Sequence, residues 1–440
     1  MPPEIEAPPP PTDRHMSAVT WLEYHGINAR TQPIRSSDFG VISTSPFDYY
    51  LTRRLGLADP LKWSQVLNRG TWFHKRLECL PATSSTAKDF MDAALADRKK
   101  ELTTVCSSRG VLGVGLDRVL AREEKDAYEA LAWFDSAVGS ADEPGIIVPQ
   151  SKWLEKGAWA FFNDPVRQLL GTEVKLAYTP PGRSWKVPIV IQIDRLYYNT
   201  RTNKVWILDA KSTGKSAQVR ATVCPHEFQR QLYSWVVTEL MKTGDLQRHY
   251  NIPTSATFGG MIHLIVQCGS IEFGEKDRPY KEEPHTLTRG PRKGQIEMRR
   301  EYIGDTPSWD NFRKRAREWH RGEGEYVDKA GERANAPCIE LSFTGPLTPE
   351  EHEEFWSKLM IVKEYAEKPA YPAGFFRTST GMAPYSELSD VSLFYVTEPV
   401  MWPELIKQKG FIQVFRDEEG LTDSLILSNP KVDEVSDNGN

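Results

Sequence analysis

Apolar positions recur along this chain with two periods, and the changes between them sort it into helices and strands. In WSQVLNRGTWFHKRLECL, Val66, Phe73, Leu77 and Leu80 sit mostly at helical spacings, which predicts a helix carrying His74 on or beside its buried face. EEKDAYEALAWFDSAV predicts a second helix, and a shorter one starts near DPVRQLL, where Pro165 suits a first helical turn. The period then shortens. VPIVIQIDRLYY and VWILDAKS are rich in β-branched and aromatic residues, and the turn-forming NTRTN between them makes the pair a hairpin. PHEFQRQLYSWVVTELM returns to helical intervals through Phe228, Leu232, Trp235, Val236 and Leu240, and MIHLIVQC reads as a buried strand.

The patterning also divides the chain. Residues 1–16 are proline-rich and aperiodic, and residues 429–440 are polar and acidic, so both read as disordered tails. Residues 17–275 form the main domain, 276–340 a connecting region rich in charge, and 341–428 a small mixed C-terminal module to which no class is assigned. Residues 289–321 hold ten Lys or Arg against five Asp or Glu, interleaved with Tyr302, Trp309, Phe312 and Trp319. Such a segment can grip phosphates and stack bases, or it can be a solvated helix face whose aromatics point to the core; the sequence leaves both open.

Composition narrows the function classes. With 440 residues, 39% of them hydrophobic and 26% charged, the chain can bury a large core. No apolar run approaches the roughly 18 residues of a membrane span, so a spanning protein is not expected. The start lacks a basic region followed by an apolar one, which predicts a cytoplasmic protein. Net charge is −5, from 55 basic and 60 acidic residues, which argues against a sequence-blind coat on nucleic acid but not against a local basic groove. Cys79, Cys106, Cys224, Cys268 and Cys338 are scattered with no CxxC pair, so neither a disulfide framework nor a cysteine-bound zinc or iron–sulfur cluster is expected.

Chemistry concentrates in IQIDRLYYNTRTNKVWILDAKST. A loop at Thr200–Asn203 would set Asp194 directly across from Asp209, and alternation puts Asp209 and Lys211 on one face while Ala210 turns into the core. Opposed carboxylates at that range need a raised pKa or a bound cation. A hard divalent metal, Mg²⁺ or Mn²⁺, suits oxygen ligands from the two aspartates, a backbone carbonyl such as that of Ala210, and water. Two aspartates and a lysine near a hairpin also form ordinary surface ion pairs. Against that, both aspartates adjoin long apolar runs, VPIVIQI and VWIL, which marks their strands as central and makes a charge there expensive without a partner.

Gly70 with His74, then Glu173, then Asp194–Arg195, then Ile207, Asp209 and Lys211, then Gln229 and Tyr233 follow one another in an order and spacing that resembles the PD-(D/E)XK nuclease superfamily, in particular its RecB-like and RecE-like exonuclease branch. The likeness covers residues 60–270 or so, and the ordered set is far more specific than D-x-K alone. It implies a restriction-endonuclease-like α/β (α+β) core, a mixed central sheet flanked by helices, with the C-terminal module as an accessory. It implies metal coordination by Asp194, Asp209 and His74, a catalytic role for Lys211, and Glu173 at the edge of the site as a water-mediated ligand or base. Gln229 and Tyr233, one helical turn apart, would face the site and orient DNA phosphate or the lysine. Relatives with an iron–sulfur staple carry a cysteine cluster that this sequence lacks, so that cofactor is not carried over.

Other motifs fail on inspection. DAKSTGKS has Asp209 where a phosphate-binding loop needs glycine, GVLGVGLDR lacks its third glycine, and neither HEFQR nor HEEFW has the second histidine of a zincin helix. The expected activity is Mg²⁺- or Mn²⁺-dependent hydrolysis of DNA phosphodiesters by an exonuclease of recombination, repair or phage type. A restriction- or defence-type endonuclease and a non-catalytic DNA-binding or assembly protein stay open beside it. DNA is the expected partner; a protein partner for the C-terminal module and a homo-oligomer, as in ring-forming relatives, also stay open.

Overall fold

A six-stranded sheet organises the computed structural model: β1 (Arg167–Tyr178), β2 (Ile189–Asn199), β3 (Lys204–Thr213), β4 (Thr257–Gln267), β5 (Ile339–Thr344) and β6 (Leu425–Ile426), in spatial order β6-β1-β2-β3-β4-β5. The structure describes residues 29–58, 64–80, 83–108, 110–149, 151–181, 184–269, 280–286, 295–302, 307–322, 338–367, 402–409, 412–413 and 425–426. The sequence-predicted tails, 1–16 and 429–440, lie outside them.

β2 and β3 are the expected hairpin. They pair antiparallel from Arg195↔Leu208 to Asn199↔Lys204, a register that carries Asp194 to the position facing Asp209. Its turn is built by Asn199, whose side chain accepts from the amides of Arg201 and Thr202, and by Asn203 at φ +53°. β3 runs parallel to β4, β4 antiparallel to β5, and β6 parallel to β1, so the sheet is mixed. With helices packed on it, this is the α/β architecture expected.

Between residues 64 and 367 the described α-helices are α1 (Gln65–Glu78), α2 (Ser84–Ser108), α3 (Val114–Ala137), α4 (Gly157–Phe162), α5 (Ala217–Val223), α6 (Phe228–Lys242), α7 (Asp245–Tyr250), α8 (Trp309–Arg321) and α9 (Pro349–Glu367). α3 is the central strut: Phe134 meets Phe73 of α1 edge-on at 5.0 Å, and Trp133 meets Trp319 of α8 at 5.1 Å. Ala210 of β3 and Leu264 and Val266 of β4 join the same core.

DPVRQLL is not a helix. α4 ends before it, and Arg167 opens β1, whose Val174, Leu176 and Tyr178 are buried while Leu169 is exposed. The apolar pair Leu169–Leu170 fits either period, and the neighbouring strands decide the matter by completing its ladder. The basic, aromatic segment also resolves within its described part. α8 buries Trp309, Phe312 and Trp319, exposes Lys314 and Arg321, and ties Arg313 and Arg317 to Glu143. Its three aromatics are part of the hydrophobic core.

The chain forms two compact units: residues 63–179, 190–356 and 423–440 contain most of the sheet just described, and residues 1–62, 180–189 and 357–422 form the other. In the latter, helical turns Asp38–Thr44, Pro46–Tyr49 and Tyr50–Arg54 pack Phe47 against Trp402, and Arg54 donates to the carbonyls of Arg30 and Tyr365. Helices Pro349–Glu367 and Trp402–Lys409 extend C-terminally beyond the nuclease-like core. Among the described residues no helix is long and apolar enough to cross a membrane.

Candidate metal and catalytic site

Three elements deliver the first group of side chains. α1 presents His74, β1 presents Glu173 and β2 presents Asp194, and one ligand atom from each lies within 4.8 Å of the others. His74 Nδ1 stands 3.1 Å from Asp194 Oδ2, which also accepts from the Ala210 amide at 2.7 Å. Glu173 reaches the group from an unusual backbone: it has φ +49°, a left-handed conformation inside a strand, and its carboxylate accepts from the Gln192 amide. An imidazole nitrogen and two carboxylates converging from separate elements form a donor set that fits a divalent cation.

The electrostatics agree with that chemistry. Burial works to lower the pKa of His74, but the Asp194 and Asp209 carboxylates outweigh it and the net shift is upward. The Glu173 carboxyl is raised, first by burial and then by Asp194 and Glu78, after discounting the lowering by Gln192 and His74. A cation among these groups relieves the crowding of negative charge.

Asp209 and Lys211 form the adjoining group. Lys211 Nζ donates to Asp209 Oδ1 at 2.9 Å and to Gln229 Oε1 at 2.8 Å, and Gln229 Nε2 donates to the same Asp209 oxygen at 3.2 Å. The other oxygen, Oδ2, lies 3.2 Å from His263 Nδ1. Burial opposes charge on both partners. Even so, Lys211 and His263 hold the Asp209 carboxyl well below the usual range, and Asp209 and Asp194 hold the Lys211 ammonium above its own. The result is an ordered ion pair between a buried Asp209 and a half-buried Lys211 rather than the exposed kind that contributes little.

The sequence-chosen residues therefore occupy two adjoining groups. His74, Glu173 and Asp194 make up the metal-competent one. Asp209 directs its oxygens to Lys211, Gln229 and His263, and Ala210, buried in the core, offers its amide to Asp194. Gln229 and Tyr233 lie one turn apart on α6, and the buried Tyr233 is close enough to Lys211 to act on its charge. Arg195, next to the metal-competent Asp194, is 2% exposed and donates to Tyr197 Oη and to the Leu80 carbonyl just beyond α1.

The sequence reading missed His263. Its signal was available, a lone imidazole in the apolar run MIHLIVQC, but its partner depends on strand order and on a bulge that no local pattern reveals.

A family model described as the PD-(D/E)XK nuclease superfamily matches residues 37–327. No curated protein matches the chain.

Proposed function

The chain belongs to the PD-(D/E)XK nuclease superfamily, and from that membership we propose that it is a divalent-metal-dependent nuclease that hydrolyses DNA phosphodiesters, working as an exonuclease of recombination or phage type. The observation that carries the reading is the convergence of His74, Glu173 and Asp194 beside the Asp209–Lys211–Gln229 network. The exonuclease mode draws its support from the ordered series Gly70–His74, Asp194–Arg195, Asp209–Lys211 and Gln229–Tyr233.

His74, Glu173 and Asp194 would hold the ion, with Asp209 across the hairpin as a further carboxylate. A bound Mg²⁺ or Mn²⁺ supplies Lewis acidity toward the phosphate and lowers the pKa of water. The Lys211 ammonium, kept charged by Asp209, stabilises negative charge developing on the phosphate. Gln229 fixes the direction of that ammonium by accepting from it while donating to Asp209.

The test is cleavage of end-labelled linear duplex and covalently closed circular DNA with Mg²⁺, Mn²⁺ or EDTA, comparing wild type with Lys211→Ala. Metal-dependent loss of the linear substrate alone, abolished by Lys211→Ala, is the expected result. Nicking of the circle replaces the exonuclease with an endonuclease. Absence of cleavage with every metal leaves a DNA-binding protein in its place, and full activity of Lys211→Ala removes the site assignment.

A further inference from the structure

Between Phe258 and Val266, every residue of β4 except His263 is apolar or glycine, and the imidazole is sealed to 1% exposure. Its Nδ1 meets Asp209 Oδ2, and its Nε2 is buried with no hydrogen-bond partner among the described residues. A carboxylate only accepts, so Nδ1 carries the proton and donates. Leucine or valine would fill this place and leave no orphan nitrogen, so packing does not account for a histidine here. Its bond to Asp209 does.

The strand geometry is arranged for that contact. Val205 pairs with Phe258, and an uninterrupted parallel register would set Ile262 beside Asp209. A bulge intervenes: Trp206 pairs with Gly260, and everything after it moves by one residue, which brings His263 alongside Asp209. The two glycines make the bulge possible. A Cβ on Gly259 would strike the Trp206 ring at 2.4 Å, and one on Gly260, at φ +126°, would meet the Thr344 carbonyl oxygen at 1.9 Å.

We propose that His263 is a positioning residue of the nuclease site: its Nδ1–H pins Oδ2 of Asp209, so that Oδ1 stays aimed at the Lys211 ammonium and the Gln229 amide. The inference rests on the function proposed above. With the imidazole gone, the carboxylate loses its only hydrogen bond to β4 and can turn about its Cβ–Cγ bond, carrying Lys211 with it. The role is one of orientation, since His263 is not among the residues His74, Glu173 and Asp194 that could hold the ion and acts through Asp209, the further carboxylate of that site.

Two variants separate this from a packing role. His263→Leu keeps the apolar volume and removes the donor, whereas His263→Asn restores an N–H where Nδ1 stands. Both are compared with wild type and Lys211→Ala by single-turnover DNA cleavage, DNA affinity, Mn²⁺ calorimetry on the protein alone and thermal unfolding. His263→Leu is expected to lower the cleavage rate and Mn²⁺ affinity by about 10- to 100-fold with DNA affinity unchanged, and His263→Asn to recover most of both. Cleavage and Mn²⁺ affinity at wild-type values in His263→Leu overturn the inference while leaving the proposed function standing. Equal impairment of the two variants, in step with their thermal stability, overturns it in favour of packing. Wild type that cleaves nothing overturns the proposed function instead, and Mn²⁺ affinity equal in wild type and His263→Leu then overturns the inference separately.

Discussion

Glu173 holds a backbone conformation that an L-residue avoids, and it does so inside a strand whose neighbours could all adopt ordinary dihedrals. That left-handed turn aims its carboxylate at His74 and Asp194. Stability and site geometry are therefore opposed at this residue. The left-handed region costs a side-chain-bearing residue roughly 1–2 kcal/mol, against roughly 0.4–1 kcal/mol by which alanine ordinarily exceeds glycine through its stiffer unfolded chain. Urea unfolding should thus rank Glu173→Gly above Glu173→Ala by roughly 0.5–1 kcal/mol, the reverse of the usual order in a strand. Both variants should lose metal-dependent cleavage. An alanine variant equal to or more stable than the glycine one would show that the strain is not carried by this residue. The same pair of measurements separates the two uses of Glu173, since its hydrogen bond to Gln192 is lost equally in both.

At the scale of elements, what matters is how α1 is fixed to the sheet, because His74 lies on α1 and Asp194 on β2. Arg195 makes the join. Its guanidinium bonds the carbonyls of Glu78 and Leu80 at the helix's C-terminal end, where the backbone leaves oxygens unsatisfied and a cation is favoured. Arg195→Met keeps the bulk and strands those carbonyls, so denaturant unfolding should show a loss of about 2–4 kcal/mol. Cleavage measured where the variant is still folded should fall as well, because His74 is one turn from the freed end. Retention of full activity by a folded Arg195→Met would disconnect the anchor from the site.

Elements also differ in how openly the sequence announced them. The β2–β3 hairpin was legible down to its register, because Thr200–Asn203 permits one close and the flanking runs are unambiguous. α1, α6 and β4 were legible from their apolar periods. α2 was not: its 25 residues bury only Ser84, Ala87, Met91, Leu95, Leu102 and Cys106, small or widely spaced side chains amid charge. β1 was misread because Leu169–Leu170 suits both periods, and Glu173 could be chosen by its place in the motif order while its left-handed backbone had no local signal. His263 stayed hidden for a different reason. Its role exists only through the neighbouring strand and the Gly259–Gly260 bulge, which are properties of the assembled sheet.

For the whole molecule, part of the acid sensitivity of stability follows from a histidine that the proposed chemistry does not use. His320 of α8 is wedged between α3 and β4, with Nδ1 2.7 Å from Ser136 Oγ and Nε2 2.9 Å from the Gln267 carbonyl oxygen. That oxygen only accepts, so Nε2 carries the proton and Nδ1 accepts from the serine hydroxyl, a pairing that protonation of Nδ1 would break. Burial pushes the pKa down to about 4 despite the Gln267 bond, which acts upward, from an ordinary value of 6.5. The folded form thus binds its proton less readily than the unfolded chain. Stability is fully present above the unfolded pKa and is withdrawn as pH falls from it toward the folded one. Between about pH 7 and about pH 4.5 the loss from this group is on the order of 2–3 kcal/mol. Carboxyls that burial raises, the Asp135 carboxyl against the lowering by Arg76 and those of Asp38 and Glu173 among them, act in the opposite sense, so the raw pH profile mixes several groups. Comparison with His320→Gln isolates the histidine. The variant should be less stable than wild type near neutrality, where it loses the fitted ring between Trp133 and Trp319, but should lose about 2–3 kcal/mol less on acidification. Parallel stability curves for the two proteins across that window would mean that His320 is protonated as easily in the fold as outside it.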